Sequence, residues 1–181
     1  MEESLADVKQ DAIRGQLTDE NFTDVIEEGI RQAARATTQE RREYIARVIA
    51  SGVSDDNLDF IETKHLLRIL GEINDIEILW LRYYLNPYIG HDGAFREKHK
   101  KVFDRVPAFV DGSQELCDKL ALQESYSAHL ARLNLLDITY DSDHGSDQPK
   151  LRSGELVLSG YRLSGLGRVL LAHMGLTVDR S

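Results

Sequence analysis

Apolar residues recur every three or four positions from the start to about residue 85, lose that spacing through a glycine-containing middle, and alternate with polar residues after residue 135. A 3.6-residue period buries one stripe of a helix, and a two-residue period buries one face of a strand, so the pattern predicts helices followed by a short hairpin. In "TDENFTDVIEEGIRQAARA", Phe22, Val25, Ile26, Ile30 and Ala33 form one face. Thr18 is placed to cap this helix, acids crowd its first turns and arginines its end, as the helix dipole favours. "TTQERREYIARVIASG" repeats the format with a threonine cap, a stripe of Tyr44, Ile45, Val48 and Ile49, and a stop at Gly52. In "SDDNLDFIETKHLLRILGEIN" the stripe is Leu58, Ile61, His65, Leu66, Ile69 and Leu70. After a break near Asn74, "DIEILWLRYYL" supplies Ile76, Leu79, Trp80 and Tyr83 until Asn86 and Pro87 end it, because proline has no amide proton for a helix interior.

"PYIGHDGAF" reads as a loop and marks a boundary, giving a helical region over 1–90 and a second region over 91–181 within one compact unit. "FREKHKKVFDRV" is a short helix, and Ser113 to about Asn134 is helical with a corner expected near Gln123 to Ser125. "LLDITYDSDHGSDQPKLRSGELVLSGYRLSG" then reads as two short strands around a polar tip. In "YRLSGLGRVLLAHMG", Ser164 caps a final helix and Gly167 lets it approach another backbone closely. The fold class expected is mainly α, a helical bundle with a winged-helix-like end made of a two-stranded hairpin and a closing helix.

Composition narrows the functions. The 181 residues carry 22 basic and 31 acidic side chains, a net charge of −9, and residues 1–30 hold nine of the acids against two bases. Such a charge disfavours non-specific attachment to nucleic acid or anionic lipid, both of which reward a cationic face. The longest apolar run, "IEILWLRYYL", is too short to span a bilayer and includes Glu77 and Arg82. The start, "MEESLADVKQDAIRG", is acidic and lacks the basic and apolar regions of a signal peptide, so a cytoplasmic location is expected. The single cysteine, Cys117, permits no internal disulfide and is expected to be a buried apolar residue.

Familiar chemical motifs are missing or incomplete. Gly165 and Gly167 suggest a dinucleotide loop, but Leu170 stands where the third glycine belongs and about 14 residues follow Gly167, too few for the second βαβ strand. No phosphate-loop G-K-[ST] and no G-x-S-x-G nucleophile elbow occurs, and no R-x(4–6)-H pair of helical ribonucleases falls on a predicted helix. Glu62 and His65 form one E-x-x-H, but a di-iron bundle needs two, so this histidine is expected to be partly buried beside a solvated acid. No metal, no cofactor and no catalytic set is therefore expected. One dense basic patch stands out, Arg96, Lys98, Lys100, Lys101 and Arg105, readable as a solvated helix face or as a contact for phosphates or an acidic partner.

Two resemblances add to this reading. "ESYSAHLARLNLLDI", a polar wing and "YRLSGLGRVLL" resemble the end of winged helix-turn-helix domains of the multiple-antibiotic-resistance-regulator type. That resemblance implies Ser125, His129 and Arg132 on a groove-facing helix and Lys150 and Arg152 on the wing. Over more of the chain, "RREYIARVIASGVSDDNLDFIETKHLLRILGEINDIEILWLRYYL" with the same C-terminal segments is similar to the abortive-infection alpha family of bacterial proteins. The matching positions are Ile45, Val48 and Ile49, then His65, Ile69, Leu70, Ile73, Glu77 and Leu79. This implies a bacterial cytoplasmic protein linked to phage defence, with no catalytic residues to carry over. The expected function is a non-enzymatic interaction or sensor protein with a protein partner or self-association. A winged-helix DNA-binding regulator and a hydrolase or nuclease with an unrecognised site are the alternatives.

Overall fold

The computed structural model describes residues 20–54, 60–86, 93–104, 114–142 and 149–176. These fall into two compact units, one reaching to Glu72 and including His173–Gly175, the other running from Ile73 to Ala172 and including Leu176. The described chain is mainly α-helical with a small antiparallel hairpin near its C-terminus. No described helix is long and apolar enough to cross a membrane.

The first unit contains α1 (Glu20–Arg35), α2 (Gln39–Ser54) and α3 (Phe60–Glu72), each packed on the other two. Phe22, Val25, Ile45, Val48, Leu66, Leu67 and Leu70 are buried, and each such apolar side chain contributes about 2 kcal/mol relative to exposure. The Thr38 hydroxyl accepts from the Arg41 amide at 3.2 Å, the threonine cap expected for α2. The same turn sends Arg42 to the Ala36 carbonyl at 2.8 Å and Arg41 to the Leu70 carbonyl, so α2 supplies donors to the C-terminal ends of both neighbours. Thr18 and Leu58 lie outside the described residues.

Three stripe positions of this unit differ from expectation. Ile30 and Ile61 are exposed, at 64% and 66%, and His65 is exposed beside exposed Glu62. The stripe of α1 runs through Phe22, Val25, Gly29 and Ala36, and that of α3 through Thr63, Leu66, Leu67 and Leu70, which turns the two isoleucines outward. Thr63 takes its place because Gly52 of α2 lies against it. A Cβ added at Gly52 would stand 2.7 Å from Thr63 Cγ2, so the crossing is set by the smallest side chain, not the most apolar.

The second unit begins at a capping box. Asn74 Oδ1 accepts from the Glu77 amide at 2.9 Å, and the Asn74 amide donates to Glu77 Oε2 at 2.7 Å, starting α4 (Asp75–Leu85). The basic segment forms two short helices, α5 (Gly93–Lys98) and α6 (Lys100–Phe103), with His99 between them. The following helix, α7 (Gln114–Arg132), is unbroken, so the corner expected near Gln123 is absent, and Cys117 is exposed rather than buried. Gln123 instead reaches sideways, donating to the carbonyls of Val102 and Asp104 at 3.1 and 2.9 Å.

At the end of α7, Asn134 adopts φ 58°, and the Leu135 amide bonds the Leu130 carbonyl at 2.9 Å, a Schellman stop. The chain then enters β1 (Leu136–Tyr140), which pairs antiparallel with β4 (Leu158–Leu163), while β2 (Leu151–Arg152) pairs with β3 (Glu155–Leu156). α8 (Gly165–His173) follows β4 directly, with the Ser164 hydroxyl accepting from the Gly167 amide at 2.9 Å as its cap.

Candidate functional site

The cross-strand register sets apolar residues opposite one another along the hairpin. Leu136↔Leu163, Ile138↔Tyr161 and Tyr140↔Leu158 are paired between β1 and β4, with a register shift at Thr139/Tyr140, and Leu151↔Leu156 are paired between β2 and β3. The row starts inside the unit, where Leu136 is buried and Tyr161 meets the Tyr84 ring at 6.5 Å. It then runs into solvent: Ile138, Tyr140, Leu158, Leu156 and Leu151 are 45 to 62% exposed. Leu156 and Leu158 are therefore largely bare.

Charged side chains stand beside the row. Arg162 Nε donates to Asp137 Oδ2 at 3.2 Å, Arg152 stands across from Glu155, and Lys150 and Arg152 are both exposed. On α7, Ser125 and Arg132 are exposed two turns apart, but His129 turns inward, with Nδ1 2.6 Å from Glu77 Oε1. Glu77 is 97% buried and engaged on both oxygens, by His129 and by the Asn74 amide. The groove-facing set implied by the winged-helix resemblance thus places Ser125 and Arg132 outside and gives His129 a partner in the protein.

The basic segment is partly built into the same unit. Arg96 lies over the Tyr83 ring at 4.3 Å and donates to the Asn86 carbonyl at 2.7 Å, while Arg82 lies over Phe95 at 4.1 Å. These cations flank a ring cluster of Trp80, Tyr83, Phe95 and Phe103, with Trp80 5.3 Å from Phe103. Lys98, Lys100 and Lys101 are exposed, and Arg105 lies outside the described residues. Among the described residues no group of three His, Cys, Asp or Glu is placed to hold a metal ion.

The apolar hairpin row and the Glu77–His129 pair were not foreseen from the sequence. The row had a visible signal, the alternation of "ELVLSGY", but alternation does not say whether its apolar side meets the same molecule or another. The pair joins residues 52 positions apart, and no local pattern announces it. Comparison with protein-family models, with curated proteins and with solved structures finds no match.

Proposed function

We propose that this chain is a non-enzymatic bacterial interaction protein that binds a protein partner through the apolar row of its C-terminal hairpin. The carrying observation is the exposure of five large apolar side chains, Ile138, Tyr140, Leu158, Leu156 and Leu151, on the C-terminal strands, beside exposed charges such as Lys150, Arg152 and Arg162. Burying such a row removes apolar area from water, the main driving force of protein association, and the charges beside it keep the unbound hairpin soluble. The sequence resemblance to abortive-infection alpha proteins supports reading this contact as one made in the bacterial cytoplasm during phage defence.

The test pairs infection with binding. Cells making the wild-type chain are challenged with phage, and the protein is recovered by crosslinking; a Leu151→Lys/Leu156→Lys chain is run in parallel. The expected result is a specific crosslinked partner and an altered infection outcome, both lost in the double variant. No effect of deletion on infection, or a partner retained by the variant, overturns the reading.

A second reading, a winged-helix DNA-binding regulator, draws on Ser125, Arg132, Lys150 and Arg152, all exposed on α7 and the hairpin. It requires DNA retention in gel shifts at low salt, where phosphate contacts are strongest, and loss of retention in Arg132→Gln/Lys150→Gln. Absence of a shift at low salt eliminates it.

A further inference from the structure

The end of α1, the start of α2 and the end of α3 surround a concavity of about 430 Å³, a volume within the range of small-molecule sites. Arg35, Arg41 and Arg68 line it, together with Glu28, Gln32 and Glu72. Three arginines therefore line one cup in a chain of net charge −9.

Part of this charge has a structural reason. The C-terminal ends of α1 and α3 carry partial negative charge and unpaired carbonyls, which attract arginines. Arg41 and Arg42 answer that need directly, through the Leu70 and Ala36 carbonyls. Arg35 and Arg68 are additional to it: both are exposed, and neither makes a hydrogen bond or ion pair with the described residues. Arg68 lies close enough to Asp24 to favour its ionised form, but the carboxylate bonds to Lys64.

The acids do not neutralise these two cations. Glu28 is engaged by Arg31 at 2.7 Å and by the Gln32 amide at 2.8 Å. Glu72 stands one turn after Arg68 on α3, in the less favourable order for a helical ion pair, and makes none among the described residues. The floor is fixed: Gln32 Nε2 also donates to the Leu67 carbonyl at 2.7 Å, and Gly71 leaves it room, since a Cβ there would come within 3.0 Å of that nitrogen.

We propose that this cup binds a small phosphate ester with free hydroxyl groups, a sugar or nucleoside phosphate. Arg35 and Arg68 grip the phosphate, Arg41 adds charge from α2, and Glu72 accepts from a ligand hydroxyl. Guanidinium forks match phosphate oxygens in pairs, and a carboxylate without a protein donor suits a hydroxyl. The site lies in the first unit and is independent of the hairpin contact.

Titration calorimetry of the full chain at low salt tests this with adenosine monophosphate and ribose 5-phosphate, against inorganic phosphate, adenosine and ribose. Both esters are expected to bind saturably and more tightly than inorganic phosphate, with no binding of the unphosphorylated compounds. Arg35→Gln/Arg68→Gln is expected to weaken ester binding about tenfold or more, as loss of charge-assisted hydrogen bonds does. Arg68→Lys keeps the charge but loses the fork, and is expected to weaken it too, while Arg168→Gln, an exposed cation of α8 in the second unit, leaves it unchanged. Circular dichroism shows that each variant is folded. No saturable binding of either ester up to about 10 mM overturns the proposal, because weaker binding has no cellular use. Unaltered affinity in the double variant, or equal binding of inorganic phosphate and both esters, overturns it as well.

Discussion

His129 Nδ1 lies 2.6 Å from Glu77 Oε1, and the other oxygen of the same buried carboxylate accepts from the Asn74 amide at 2.7 Å. One side chain thus completes the cap of α4 and ties α4 to α7. Removing His129 takes a partner from a buried carboxylate, and removing Glu77 takes the cap from α4 and the partner from a half-buried imidazole. Glu77→Ala is expected to lose about 2–4 kcal/mol, since it breaks both the cap and the buried pair. His129→Ala is expected to lose less, because the carboxylate keeps its amide donor. The double variant should fall short of the sum by about 1 kcal/mol or more, the sign of direct coupling. Urea unfolding followed by the fluorescence of Trp80, the single tryptophan, measures all four proteins.

Gly167 and Leu135 form the corner where α8 leaves the hairpin. A Cβ added at Gly167 would overlap the Leu135 carbonyl oxygen and stand 2.8 Å from Leu163 Cδ1. The carbonyl belongs to backbone and cannot swing aside, so Gly167→Ala is expected to destabilise by about 2–3 kcal/mol, at the upper end of overpacking. Ser164 holds the same corner by donating to the Asn134 carbonyl at 2.5 Å while accepting from the Gly167 amide. Ser164→Ala should cost about 1–2 kcal/mol, the loss of a cap. An unchanged urea midpoint in Gly167→Ala would mean that the helix reaches its place without this close approach.

These corners were the parts most legible from the sequence, because a cap or a close-packed glycine is dictated by chemistry within a few residues. Ser164, Gly167, the break at Asn74 and the threonine cap of α2 all belong to this group. The stripes were less legible. Counting apolar residues placed Ile30 and Ile61 inside, whereas Gly29 and Thr63 lie on the packed lines and both isoleucines are exposed. Close helix crossings select small side chains, which a hydrophobicity pattern does not register. The arginine cup was invisible for another reason: its residues are spread from Glu28 to Glu72 over three helices, and each arginine alone reads as an ordinary dipole partner.

The exposed hairpin row predicts an asymmetry between stability and function. Leu151 and Leu156 face each other at 62% and 46% exposure, so replacing both with lysine removes little buried area. The double variant should unfold within about 0.5 kcal/mol of wild type, as surface substitutions do. It should also be more soluble, since it breaks an apolar patch with charge. A loss above about 2 kcal/mol, the scale of emptying a packed site, would show that these leucines hold the hairpin together.

Asp24 makes an exposed ion pair with Lys64 that joins α1 to α3, and the Lys64 ammonium, by hydrogen bond and by charge, holds the Asp24 carboxyl below its usual value of 3.8. A carboxyl depressed in the folded state adds stability above its unfolded value, and loses that contribution as pH falls through the folded one. Asp24→Asn lacks the contribution at every pH. The wild type should therefore exceed the variant by a small margin at neutral pH, hold that margin down to the ordinary carboxylate range, and converge with it in stronger acid. Salt should narrow the gap at neutral pH, because the pair is open to solvent. Urea midpoints from far-ultraviolet circular dichroism across an acid series, with and without added salt, read the margin directly. A gap unchanged from neutral pH to strong acid would assign the effect of the substitution to helix propensity rather than to the Lys64 contact.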